Sequence, residues 1–337
     1  MRVLIPFGSR KIYDVGYVID IKEKSDYKCK NIIKVVDQVL SEDKLKFAHW
    51  ISDKYFCNLS EAIRLMVPPG TATKYDNIKV KTEKYIYLNN DFNLDFIKKE
   101  KQKKVIEFLQ DNVGYAPKSI VKEMVDVSDA VLKTLEKNKV IAFKDIEVSR
   151  NPLWNKNVNR SNAILLTNDQ RKALESIKLD EYKKYLIHGV TGSGKTEIYL
   201  QLIEKVLNNK KTAIVLVPEI SLTPQITDRF LSRFGNIIAV LHSGLSLGER
   251  YDEWNKINSG NAKVVIGARS AIFAPIKNLG VIIIDEEHDS SYKSEVTPKY
   301  DAKELATQIA ITENIPLVLR FCNTWHKDVL WSTKRKN

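Results

Sequence analysis

The sequence has little cysteine. Its three residues, Cys29, Cys57 and Cys322, lie far apart and form no C-x-x-C pair. Such spacing offers neither a disulfide framework nor a cysteine-built zinc site, and it points to a reducing compartment. Long apolar runs are also missing, since none approaches the roughly 18 residues of a membrane span. The N-terminus carries no signal-peptide pattern. A cytoplasmic protein without a membrane partner is therefore expected. No internal repeat and no low-complexity segment interrupts the chain.

Acidic residues are the minority charge: 42 Asp and Glu face 54 Lys and Arg, a net +12 at pH 7. That balance suits a polyanion such as nucleic acid, although a lysine-rich genome gives the same excess. The apolar fraction of 43% is ordinary for a soluble protein. A chain of 337 residues is long enough for two or three domains with their own cores.

The most informative stretch is Gly189-Val190-Thr191-Gly192-Ser193-Gly194-Lys195-Thr196, which fits the phosphate-loop pattern G-x-x-x-x-G-K-[ST]. Its setting agrees, with an apolar strand predicted over 184–188 and a helix over 197–207. Backbone N–H groups of such a turn point inward and cradle phosphate oxygens at the positive end of the helix. Lys195 would reach the β and γ phosphates of ATP, and Thr196 would hold Mg²⁺.

Before this loop, residues 1–7 and 15–21 read as two strands of a hairpin around a Gly-Ser-Arg-Lys turn. Helical spacing over 45–66 ends at Val67-Pro68-Pro69-Gly70, which cannot continue a helix and marks a domain edge. Residues 76–94 have strand character. The charged run Lys98 to Lys104 opens a helix as its solvated face. Helices over 118–124 and 128–138, with a strand at 140–143, suggest a winged helix, though helical triplets also serve as interaction modules. Residues 151–162 read as a linker. Beyond it, strands at 184–188, 213–217, 237–241, 264–266, 281–284 and 317–319 alternate with amphipathic helices, which predicts an α/β unit with a covered parallel sheet.

The strand Val281 to Ile284 runs into Asp285-Glu286-Glu287-His288. Ligands of open α/β sheets bind at the carboxyl ends of the strands, so these acids should share a crevice with the phosphate loop. Asp285 would then hold Mg²⁺, and Glu286 would orient and deprotonate an attacking water.

Asp-Glu-Glu-His after an apolar strand resembles the second motif of superfamily 2 helicases, and further blocks follow in order. Leu166-Thr167-Asn168-Asp169-Gln170 resembles an adenine-sensing motif with Gln170 as its reader. Val217 to Gln225 resembles motif Ia, and Gly267-Ala268-Arg269-Ser270-Ala271 resembles motif Ib. Together with Val3-Leu4-Ile5-Pro6-Phe7-Gly8 and Met66 to Gly70, these blocks resemble the PriA family of replication-restart helicases. The resemblance runs from residue 1 to about 320.

That resemblance implies a domain at 1–72 that binds a DNA 3′ end, with Arg10 and Lys11 in its turn. It further implies a winged helix at 73–150 and a RecA-like lobe at 163–319. His288 is implied in catalysis, and Arg269, Tyr292, Lys293, Lys299 and Tyr300 in DNA contact. Loop anchoring is the plain reading of Tyr292 and Tyr300, and an aromatic beside lysines can also stack on bases. The implied cofactors are ATP and Mg²⁺, with zinc in the whole family protein although its cysteines are not in this chain. The implied partners are branched or forked DNA, single-stranded DNA, primosome proteins and single-strand-binding proteins. A restriction-type translocase is the competing superfamily 2 reading, and no nuclease motif favours it.

After residue 319 the family pattern Gly-Ser-Ala-Thr-Pro is expected, and the chain has Arg320-Phe321-Cys322-Asn323-Thr324. An Arg codon ending GG followed by TTC, TGC, AAC, ACC and TGG spells the family pattern when shifted by one nucleotide. A slipped reading frame is therefore expected, which makes 320–337 a non-native tail. Sequencing the coding DNA decides this, because codons that cannot give that pattern in the shifted frame refute it. The resemblance also implies strand residues before Met1 and a second motor lobe, both outside this chain.

Overall fold

The computed structural model describes residues 1–6, 13–24, 29–37, 40–69, 81–89, 97, 99–147, 150, 160–189 and 194–322. Residues 1–78 and 153–337 form one compact unit and residues 79–152 form another.

In the first unit, strand β1 (Arg2–Pro6) pairs antiparallel with β2 (Tyr13–Tyr17) and, on its other side, with β3 (Lys34–Asp37). The hairpin turn at 8–11 lies outside the described residues. The buried Arg2 guanidinium pairs with Asp37 across the β1–β3 edge, which ties the third strand to the first. Helix α1 (Glu42–Tyr55) and helix α2 (Leu59–Leu65) follow. The single helix expected over 45–66 is thus two. Phe56 takes the left-handed conformation at φ 49°, and the Cys57 N–H closes onto the Ser52 carbonyl at 3.2 Å. Glu61 then accepts the Asn58 N–H at 2.8 Å, a local start signal that restarts the helix. Ala48, Ile51, Ala62, Ile63 and Met66 keep the predicted spacing. They join one core with Ile272, Tyr300 and Leu305 from far along the chain.

The second unit holds β4 (Thr82–Leu88), α3 (Glu100–Asp111), β5 (Tyr115–Pro117), α4 (Lys118–Val125), α5 (Asp129–Lys137) and β6 (Ile141–Glu147). Its antiparallel sheet has the order β5-β4-β6. Ile86, Val105, Leu109, Val121, Leu132, Leu135 and Ile141 fill its core. Of the lysine run, Lys101, Lys103 and Lys104 lie on the exposed face of α3, where Lys101 meets Asp126 at 3.1 Å and Lys104 meets Glu100 at 3.0 Å.

The rest of the first unit begins with α6 (Asn168–Ser176), β7 (Lys184–Gly189), α7 (Lys195–Asn208), β8 (Thr212–Leu216) and α8 (Pro224–Phe234). It continues with β9 (Ile238–Leu241), α9 (Leu247–Asn258), β10 (Val264–Gly267), β11 (Leu279–Ile284), α10 (Ala302–Thr312) and β12 (Leu317–Cys322). All six strands are parallel, in the order β7-β12-β11-β8-β10-β9. Strands β8, β10 and β11 are buried along their whole length, as strands covered on both faces must be. Side chains alternate between two cores. Ala213, Val215, Ile283 and Ile266 meet α7 and α8 residues such as Leu202, Val206 and Phe230. Ile214, Leu216, Ile282 and Val265 meet Ile257, Leu305 and Ala306 of α9 and α10.

Strand β12 continues three residues past Leu319, with Arg320 opposite Ile187, Phe321 opposite His188 and Cys322 opposite Gly189. Residues 323–337 lie outside the described residues. Among the described residues, no helix is long and apolar enough to cross a membrane.

Candidate nucleotide and nucleic-acid site

Strand β7 and helix α7 bracket the phosphate-loop sequence, as the apolar run and the helical spacing predict. Thr191, Gly192 and Ser193 lie outside the described residues, while Gly189, Gly194, Lys195 and Thr196 lie within them. Gly194 opens α7 at φ 73°, where a side chain would be strained, and a Cβ there would press on Gln170 Nε2 at 2.6 Å. Gln170 of α6 therefore lies directly against Gly194, with its Oε1 accepting the Thr167 N–H at 2.9 Å. The Lys195 side chain is buried, and its Nζ donates to the Gly189 carbonyl at 2.6 Å. An ammonium thus spans the two ends of the loop at the N-terminus of a 14-residue helix.

The acidic cluster sits at the carboxyl end of β11, on the same edge of the sheet. Asp285 is buried, and its carboxylate accepts from Tyr199 Oη at 3.3 Å and from the Glu286 N–H at 2.8 Å. Arg320 Nη1 lies 2.5 Å from both carboxylate oxygens. The register Ile284 opposite Leu319 brings Asp285 beside Arg320 as β11 ends and β12 runs on. Glu286 adopts φ 44°, a conformation uncommon for a non-glycine residue and frequent at functional sites. Its carboxylate accepts from Ser221 Oγ at 3.4 Å, in the segment that follows β8. His288 is exposed and meets the Phe321 ring edge-on at 5.1 Å, and Phe321 stacks on His188 at 5.8 Å.

The loop from β11 to α10 is pinned from several sides. Tyr292 is fully buried, and its hydroxyl donates to the carbonyls of Asp285 at 2.5 Å and Leu216 at 3.1 Å. Burial, reinforced by the Asp285 charge, raises its phenol far above the usual range. Tyr300 is also buried and packs edge-on against Phe273 at 5.1 Å. Neither ring has a face free for a base, so the stacking expected of Tyr292 and Tyr300 gives way to loop anchoring. Arg269 braces the same loop, donating to the carbonyls of Lys293 at 2.5 Å and Ser291 at 3.4 Å. It also lines a cleft of about 300 Å³ with His242, Arg250 and Trp254. Lys293 and Lys299 are exposed on this loop, while Arg10 and Lys11 lie outside the described residues.

Family models match the two ends of the first unit. The 3′ DNA-binding domain model matches residues 1–68, and the DEAD/DEAH box helicase model matches residues 167–329. The replication restart protein PriA of Bacillus subtilis is 39% identical over 95% of this chain, and that of Haemophilus influenzae is 35% identical over 95%. That of Synechocystis is 42% identical over 70%. The chain belongs to the PriA family. It spans 49% of the length of the Bacillus relative, 45% of the Haemophilus one and 29% of the Synechocystis one.

This PriA-family chain contains site residues that motif reading passed over. Tyr199 lies four residues after Lys195, one helical turn along α7, and that spacing could have placed it beside the loop. Its phenol is pushed up by burial and by Asp285. Ser221 lies inside the Val217 to Gln225 block without a role of its own there, and Arg320 carried no signal, because their approach depends on how β8, β11 and β12 are ordered. The phosphate half of the site fits a nucleotide: a buried lysine, a left-handed glycine and a helix N-terminus converge on one spot. The metal half does not fit Mg²⁺ in this arrangement, because Arg320 holds the Asp285 carboxylate to which the metal was assigned. Among the described residues, no group of three or more His, Cys, Asp or Glu side chains is arranged to hold a metal ion.

Proposed function

We propose that this chain is the DNA-recognising and nucleotide-binding part of an ATP-dependent 3′-to-5′ DNA helicase of replication restart, acting at stalled or branched forks. The observation that carries the reading is that α7, which begins at Lys195, reaches the acidic cluster at the end of β11, where its Tyr199 donates to Asp285 at 3.3 Å. Lys195, Gly194 and the α7 N-terminus hold the phosphates, and Gln170 reads the adenine beside them. Glu286 takes a proton from the attacking water, steadied by Ser221. ATP supplies the free energy of the motor when bound. Arg269, Lys293 and Lys299 contact DNA phosphates next to the motor, and Arg10 and Lys11 meet the exposed 3′ end.

Residues 1–72, 73–150 and 163–319 serve as 3′-end module, winged helix and first motor lobe, with 151–162 as linker. Primosome and single-strand-binding proteins are the partners of this reading, and the cytoplasmic nucleoid is its setting. A superfamily 2 motor works with a second lobe that brings an arginine to the transferring phosphate, so turnover measured on residues 1–337, whose helicase match is 167–329, is expected to be slow. A second reading is fork binding without turnover, and the Arg320–Asp285 pair favours it.

Equilibrium binding of a fluorescent ATP analogue and steady-state ATP turnover, each with and without forked DNA bearing a free 3′ end, test the proposal. Lys195→Ala is expected to weaken nucleotide binding by about tenfold or more, the loss of one charge-assisted phosphate contact. Unchanged affinity in that variant would remove the site. DNA-stimulated turnover by the chain alone would instead show that a second lobe is dispensable or is supplied by self-association.

A further inference from the structure

The Asp285 carboxylate is fully subscribed. Oδ1 accepts from Arg320 Nη1 and from the Glu286 N–H, and Oδ2 accepts from Arg320 Nη1 and from Tyr199 Oη. A carboxylate offers about four lone-pair sites, and these contacts use them. The pair is also dry, with side-chain exposures of 13% for Arg320 and 2% for Asp285. Its geometry is set by the backbone: β12 lies beside β11, and the Glu287 N–H donates to the Arg320 carbonyl at 2.9 Å. The guanidinium is thus delivered by a strand rather than by a swinging loop.

A second cation at that carboxylate would meet both occupied oxygens and the like charge of Arg320. Expelling the guanidinium would leave a buried arginine without its counter-charge, which is among the costlier single changes in a protein interior. The phosphate half is built from other groups, Lys195 on the Gly189 carbonyl and the α7 N-terminus.

We propose that Arg320 is a resident cation that closes the Asp285 position to Mg²⁺, so that this chain binds nucleotide with an affinity that Mg²⁺ does not strengthen. The inference rests on the nucleotide-binding reading above. It assigns Arg320 a function that motif reading gives to a metal ion: neutralising Asp285 at the end of β11.

The test is equilibrium binding of a fluorescent ATP analogue to the full chain, in EDTA and in excess Mg²⁺, for the wild type, Arg320→Ala and Arg320→Gln. Wild-type affinity is expected to change by less than about twofold on adding Mg²⁺, and both variants are expected to tighten by about tenfold or more. Arg320→Gln keeps most of the side-chain volume and serves if Arg320→Ala does not fold. Tightening of the wild type by as much as tenfold overturns the proposal without any variant. So does weaker binding of the variants both with and without Mg²⁺, because the guanidinium would then be a nucleotide ligand. Absence of nucleotide binding in all three proteins overturns the nucleotide reading itself, and this inference falls with it. Binding that responds to Mg²⁺ equally in all three leaves the nucleotide reading standing and overturns this inference alone.

Discussion

Tyr292 shows how one residue type serves two chemistries according to burial. An exposed tyrosine beside lysines is a stacking platform, whereas a tyrosine with no exposed surface is a bolt. Here the hydroxyl joins two carbonyls, Leu216 at the end of β8 and Asp285 just past β11, and so fixes the two strand ends that carry motif Ia and the acidic cluster. Tyr292→Phe removes the donor and leaves both buried carbonyls short of one partner. That change should lower stability by about 1–3 kcal/mol, measured by denaturant unfolding. Affinity for single-stranded DNA should stay within about twofold of wild type, because the buried hydroxyl reaches no nucleic acid. A large loss of DNA affinity at unchanged stability would show instead that the Tyr292 hydroxyl takes part in DNA contact.

At the scale of elements, α9 docks on β9 through two charged side chains. Glu253 is buried and accepts the Val240 N–H at 3.1 Å, while Lys256 Nζ donates to the Ile238 carbonyl at 2.8 Å. Burial pulls the Lys256 amine down from 10.5 to about 8, against a smaller opposing pull from Glu253. The unfolded chain therefore holds more protons than the folded one between about pH 8 and 10.5, so stability contributed by this site rises with pH across that window. Below pH 8 both states are protonated and the site contributes no slope. Thermal unfolding from pH 7 to 10 should show the wild type gaining on Lys256→Met as pH rises. Parallel curves for the two proteins would refute the depressed amine.

The same elements show what a linear pattern can carry. The six parallel strands were legible because each holds an apolar run such as Val281-Ile282-Ile283-Ile284, the pattern that β8, β10 and β11 need to be covered on both faces. The phosphate loop and the acidic cluster were legible for a related reason: each sits at a strand end and uses residues that few other structures require together. The break at Phe56 was hidden, because Ile51, Tyr55, Ala62 and Ile63 keep a helical spacing across it, and the Asn58–Glu61 restart signal is weaker than that spacing. Strand β3 was hidden as well. It is a sheet edge with Val35 54% exposed, and it shows neither a clean alternation nor an apolar run. Arg320 was illegible for the deepest reason. Its partner lies 35 residues away, and only the β12–β11 adjacency with its register joins them.

At the scale of the molecule, the net charge of +12 leaves open whether DNA is held at chosen points or by a diffuse positive surface. Salt dependence separates these cases. Five basic side chains are assigned to phosphates: Arg10, Lys11, Arg269, Lys293 and Lys299. About five contacts on duplex DNA give a log–log salt slope of about −4.5, a loss of roughly 500-fold in affinity between about 50 and 200 mM salt. The slope alone could still come from scattered charge, so the deciding protein is the double variant Lys293→Ala, Lys299→Ala. Both lysines are exposed on the loop that Tyr292 and Arg269 pin in place. If they are true phosphate contacts, fluorescence anisotropy with forked DNA should show the slope falling by about two in the double variant. If charge acts only as a diffuse field, removing two of 54 cations should leave the slope nearly where it was. That second outcome would confine specific DNA recognition by this chain to the 3′-end module.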